Sequence, residues 1–198
     1  MEDKILSKFS FYDNIGYLLV GSISLLVLAL DLFLLNLSKL IPSFDVQSIV
    51  LWLITAYFLG HIFQAIANIV IKENKTEFSD EDKELLDEAK TYFGLKKSSY
   101  GQIYNYCYML ASVKDITGQV QSFNAYYSLY RGWTIVFLLE SIFLVILNLL
   151  KWRNDSWIIL FLTSIIITIL LFKRLKRFYI YSRVKTLQTF VILRKGVL

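Results

Sequence analysis

The chain has 198 residues, of which 56% are hydrophobic and only 19% charged, with a formal net charge of +5. That balance excludes an ordinary soluble domain, where roughly a quarter of residues are charged. A single cysteine, Cys107, excludes an internal disulfide and supplies no metal-ligand set, so neither a metal nor any other cofactor is expected.

In chain order, residues 1–14 form a short tail with Lys4 and Lys8, and Leu18–Leu35 is nearly all apolar. At about 1.5 Å per residue, a helical run of this length covers the roughly 30 Å of a bilayer's hydrocarbon. The run is too long for a cleaved signal, contains Asp31 and lacks a small-residue cleavage site, so it is expected to remain as the first span. A second apolar run over Ile49–Phe63 completes a transmembrane hairpin across 15–72.

Residues 73–131 are more polar. Ser79 stands before three acids, with Asp82 at the capping-box position, Leu85, Leu86, Ala89 and Phe93 at helical spacing, and Gly94 as a stop. A second helix is expected over YGQIYNYCYMLA, with Tyr100, Ile103, Tyr104 and Cys107 on one stripe. In the next stretch Ile116, Val120, Phe123, Tyr127 and Tyr130 recur at successive turns and lead into the third span, with a bend expected near Gly132. Tyrosines interleaved with lysines can stack nucleobases, but the acids of this segment balance its bases, so direct nucleic-acid binding is not expected.

Apolar runs return at Trp133–Leu150 and Trp157–Phe172, giving a second transmembrane hairpin over 132–173. The tail over 174–198 continues a basic stretch that begins at Lys173 and includes Arg174, Lys176, Arg177, Arg183 and Lys185 with no acid. A basic amphipathic helix of this kind is suited to anionic lipid, to the adjoining bundle or to an acidic partner. The expected fold is therefore an all-α integral membrane protein. It has four transmembrane helices, a small cytosolic helical bundle between spans two and three, and a basic amphipathic C-terminal helix.

Orientation follows from the distribution of Lys and Arg. Eighteen of the 21 lie in the N-terminal tail, the central segment and the C-terminal tail, against Lys39, Lys151 and Arg153 in the two hairpin turns. The positive-inside tendency places both termini and the central segment in the cytosol of a multi-pass bacterial inner-membrane protein.

Inside the second span, Tyr57, His61, Gln64 and Asn68 step along one helical stripe. Such a stripe is expected to face other helices or water, because unsatisfied polar groups in hydrocarbon are costly. Glu140 in the third span lies at a similar expected depth to His61, so the two are candidates to pair. His61, Gln64, Asn68 and Glu140 together form the candidate intramembrane polar cluster, either as hydrogen-bonded glue between helices of one chain or between subunits, or as pore-lining groups. No catalytic set is expected: nucleophile elbow, phosphate-binding glycine loop, HExxH and paired cysteines are all absent from the sequence.

The stretches FYDNIGYLLVG at 11–21, YFLGHIFQAIAN at 57–68 and SFNAYYSLYRG at 122–132 resemble small multi-pass bacterial membrane proteins of anti-phage defence loci. In size and span count the chain is most similar to the four-span accessory protein encoded beside type VI-B CRISPR effectors, and its layout is comparable to the membrane component of Kiwa-type defence. It departs from the first motif at Val20, where a proline would stand. The resemblance implies a non-enzymatic helper or effector of bacterial immunity, partnered by the lipid bilayer, by further copies of itself and by a soluble defence protein. Subunits are expected to pack through Gly16, Gly21, Ser22, Ser24, Gly60 and Ala65. The alternative is a membrane scaffold or sensor that docks and regulates a cytosolic nuclease. A housekeeping channel or transporter has less to recommend it, since no internal repeat is visible.

Overall fold

A computed structural model describes residues 14–41, 45–72, 78–115, 117–150 and 155–195. The expectations for the N-terminal tail, Ile116, Lys151 and Arg153 lie outside them. Among the described residues the chain is entirely helical: α1 (Leu19–Leu34), α2 (Val46–Val70), α3 (Asp80–Phe93), α4 (Tyr100–Lys114), α5 (Gln119–Leu149) and α6 (Asp155–Arg194). A π-turn over Asn14–Leu18 leads into α1, and a short 3-10 turn over Ser38–Leu40 follows it. Four helices are long and apolar enough to cross a membrane: Gly16–Leu34, Ser48–Val70, Gln119–Leu149 and Trp157–Arg194.

Local chemistry sets the boundaries. Asn36 adopts the left-handed conformation, φ 59°, as α1 ends, while the Leu37 N–H reaches back to the Leu32 carbonyl at 2.8 Å. Asp45 caps α2 by accepting from the Ser48 N–H at 2.7 Å. Ser79 and Asp82 form the expected capping box of α3, and Gly94 closes that helix at φ 70°. An unanticipated second capping box joins Ser99 and Gln102 at the start of α4. Asp115 accepts the N–H groups of Thr117 at 2.9 Å and Val120 at 2.8 Å, satisfying the exposed donors at the start of α5.

The chain divides into two compact units, Met1–Ile71 with Ala125–Lys176, and Lys72–Asn124 with Arg177–Leu198. In the first unit, α1 and α2 meet backbone to backbone. A Cβ added at Gly21 would lie 1.6 Å from the Ala56 carbonyl oxygen, and one at Gly60 would lie 2.0 Å from that of Tyr17. Gly21 and Gly60, expected to join subunits, are thus consumed in closing the hairpin. α5 lies against α1 in parallel register. Val20 packs on Gly132, the Asp31 and Glu140 side chains meet, and Leu34 and Leu35 pack around Leu144, Leu147 and Trp157. Gly132 serves this close approach: its Cβ would fall 2.7 Å from Val20 and 2.9 Å from Gln64.

In the second unit a conventional core gathers Phe78, Leu86, Ala89, Ile103, Cys107, Leu187 and Phe190. Leu187 and Phe190 come from α6, which corrects one expectation. The basic tail is not a separate helix but the unbroken continuation of the fourth apolar helix through Arg194. Nothing between Phe172 and Arg194 stops a helix, since neither Gly nor Pro occurs there.

Candidate functional site: the buried polar groups

The structure divides the four residues of the expected polar cluster among different surroundings. Gln64, 4% exposed, is the only one of them fully buried. Its Nε2 donates to the carbonyls of Gly16, at 2.9 Å, and Ser128, at 2.7 Å, and its Oε1 accepts from Arg131 at 3.3 Å. One amide therefore ties the π-turn before α1 to α2 and α5, with the Arg131 guanidinium also held over the Tyr127 ring at 5.2 Å. In hydrocarbon a bridge of this kind is worth on the order of 1 kcal/mol per bond. Trp133 adds a further tie from α5, donating to the Leu19 carbonyl at 3.3 Å.

His61 is exposed and stacks on Tyr17, ring centroids 3.8 Å apart, with Tyr57 edge-on at 4.6 Å. Asn68 is exposed, as is Ala65. The buried stripe of α2 runs instead through Ala56, Gly60, Gln64 and Ala67, because small side chains there admit the neighbouring backbone. Within one chain His61 and Glu140 do not meet. Gln64, one turn beyond His61, is level with Ser128 and Arg131, so Glu140 lies roughly 15 Å further along α5.

Glu140 meets Asp31 of α1. Asp31 is 5% exposed, and its Oδ1 is buried without a hydrogen-bond partner. The two acids sit on the facing stripes Val20–Ser24–Val27–Asp31 of α1 and Val136–Glu140–Leu144 of α5. On another side of α5, Ser141 and Ser164 share a 3.0 Å hydrogen bond, and Ser164 donates to the Phe137 carbonyl at 2.8 Å. The signal for the Asp31–Glu140 pair was present as two lone acids in apolar runs, but sequence does not say which helices are neighbours.

The basic residues also separate. Lys173, Arg174, Lys176 and Arg177 are exposed at the end of the apolar part of α6, with Arg174 5.9 Å from the Tyr130 ring and Lys176 4.8 Å from that of Phe172. Lys185 is half-buried. Arg183 turns into the helical bundle, where it forms an ion pair with Asp82 at 3.0 Å and lies 5.1 Å from the Phe78 ring. Arg194 pairs with Glu88 at 2.7 Å. Of the destinations open to the tail, the bundle holds its C-terminal part. Burial pushes the Cys107 thiol up to about 12 and the Tyr104 hydroxyl, next to Thr186, to about 12 as well, so neither ionises near neutral pH.

Among the described residues no group of three or more His, Cys, Asp or Glu is gathered closely enough to hold a metal ion. No protein-family model, curated protein or solved structure matches the chain.

Proposed function

We propose that the chain is a non-enzymatic, multi-pass inner-membrane protein of bacterial anti-phage defence that assembles as a homo-oligomer and alters membrane permeability in response to a soluble effector. The observation that carries the assembly is the open face of α2. His61 and Asn68 are exposed there beside Phe58, Ile62 and Ile69, on a helix whose apolar window is only 17% buried within one chain. Polar groups on a span's outer face call for partners that lipid does not offer, and a second copy supplies them. The defence role rests on the resemblance of residues 11–21, 57–68 and 122–132 to proteins of such loci. The basic flanks support cytosolic termini and a cytosolic bundle.

The decisive experiment co-expresses the protein with its neighbouring effector and follows a membrane-potential dye after phage or target-RNA challenge. Depolarisation that requires the protein is the expected result. Unchanged polarisation contradicts the permeability reading, and a detergent-solubilised mass equal to one chain contradicts the oligomer.

A second reading, a membrane scaffold that docks a cytosolic nuclease, has an observation of its own. Tyr106, Met109 and Val113 form an exposed stripe on α4, with Val113 84% exposed. A charge placed at Met109 that abolishes effector capture while leaving the oligomer intact would favour this reading.

A further inference from the structure

The apolar stretches 19–38, 46–60, 133–150 and 157–172 contain no Lys, Arg or His, and their only acids are Asp31 and Glu140. Those two side chains meet across α1 and α5, and one oxygen of Asp31 is buried without a hydrogen-bond partner. Ionised carboxylates are acceptors only, so two that meet among apolar side chains are held together only when one of them carries a hydrogen. No described cation is placed to substitute for it. Along the chain, Lys39 and Asp45 come next, both exposed around the turn between α1 and α2, while the side chains of Lys151, Arg153 and Asp155 lie outside the described set. The stretches 46–60 of α2 and 157–172 of α6 bring no titratable group besides Tyr57. A third carboxylate, cysteine or histidine that would suit a metal ion is also missing among the described residues.

We infer that Asp31 and Glu140 form a binding site for a single proton, and that the bound proton clasps α1 to α5. Occupied, the pair carries one negative charge shared over a hydrogen bond. When the proton leaves to water, two negative charges remain in contact among apolar side chains, which repulsion and lost solvation both oppose, and the clasp is driven open. Asp31 lies one turn before Leu35 and close to exposed Asn36, so exchange runs toward the turn between α1 and α2. In a membrane this is the side away from the termini, and the site would report acidity there. The inference rests on the reading of α1 and α5 as spans.

The test uses the full chain in vesicles of neutral phospholipid, with infrared difference spectra of the protonated-carboxyl stretch recorded over a pH series. In wild type this band is expected to be present at neutral pH and to persist to at least one pH unit higher than in Asp31→Asn or Glu140→Gln. That difference is a tenfold or larger change in proton affinity. The band should be absent from the Asp31→Asn/Glu140→Gln double variant, whose paired amides keep a neutral hydrogen bond and whose helix content is checked by circular dichroism. A wild type with no such band at neutral pH, or single variants that titrate together with it, would overturn the proposal. Alkaline carbonate extraction tests the membrane reading separately: release of the chain into the supernatant sinks that reading whatever the infrared result.

Discussion

In the helical bundle of the second unit, Leu86, Ile103, Leu187 and Phe190 are at most 1% exposed, whereas in the first unit Phe33, Phe58, Ile69 and Leu150 are each more than 60% exposed. The bundle follows soluble-protein rules, with large apolar side chains inside and charges such as Asp80, Asp87 and Glu88 outside. The first unit brings glycines, serines and a few polar nodes inward and turns its large apolar side chains out. The contrast shows what holds each together. Water drives a bundle of this kind to bury Leu and Phe; helices surrounded by hydrocarbon would gain little from burying more of the same, and the close backbone approach and hydrogen bonds of the first unit suit that case.

The sharpest way to break this comparison is to enlarge a side chain at a helix contact in the first unit. Gly21→Val places carbon atoms on the Ala56 carbonyl and is expected to cost more than about 3 kcal/mol, read as loss of the thermal transition in detergent. The same substitution at Gly94, where no atom lies within 4 Å of an added Cβ, meets no clash and only the strain of its left-handed backbone, a smaller loss of about 1 kcal/mol. In the bundle the vulnerable point is instead a buried charge. Arg183→Ala leaves Asp82, whose side chain is 9% exposed, without this partner and is expected to cost about 3 kcal/mol in a denaturant titration. Gln64→Leu, which removes the amide linking Gly16, Ser128 and Arg131, should destabilise the first unit by about 2 kcal/mol. If Gln64→Leu proves neutral, the polar node is dispensable and small-residue packing alone closes the unit.

The smallest effect concerns Asp115. Its partial burial favours the neutral carboxyl, but hydrogen bonds from Thr117 and from the backbone N–H groups of Val120, Thr117 and Gln119 outweigh that and hold it below the usual carboxylate range. A group depressed on folding contributes stability above its unfolded value and loses that contribution as pH falls through its folded value. Asp115→Asn should therefore narrow the difference in melting temperature between pH 7 and pH 3, at a cost of about 1 kcal/mol at pH 7 from the weakened cap. An unchanged difference would mean that the cap does not form.

How much of this was legible depended on the range of the interaction. Composition over about twenty residues was enough for the four apolar helices, and Ser79, Asp82 and Gly94 announced α3 because caps act within one turn. The Ser99–Gln102 box was equally local and could have been read from its spacing. The charge change at Lys173 suggested a boundary, yet charge does not interrupt a helix and α6 continues through it. Gln64 stood out as a polar residue of the second apolar run and is buried, but the stripe drawn through it lies one position away from the face that packs. That face is chosen by the small residues Ala56, Gly60 and Ala67. The pairing of Glu140 with Asp31 instead of His61 follows from α5 lying parallel to α1, a neighbour relation that no single helix encodes.

Cysteine labelling in intact cells reads directly where the polar segments lie relative to a bilayer. The native Cys107 is buried and its thiol is pushed up to about 12, so it should stay unlabelled in the folded protein and leave a quiet background. Single cysteines at Asp80, whose side chain is 96% exposed, at exposed Gln188 and at exposed Asn36 are then treated with a membrane-impermeant maleimide. Labelling of the Asn36→Cys chain from outside, with Asp80→Cys and Gln188→Cys reacting only after permeabilisation, is the predicted result. Reaction at position 80 or 188 in intact cells would contradict it.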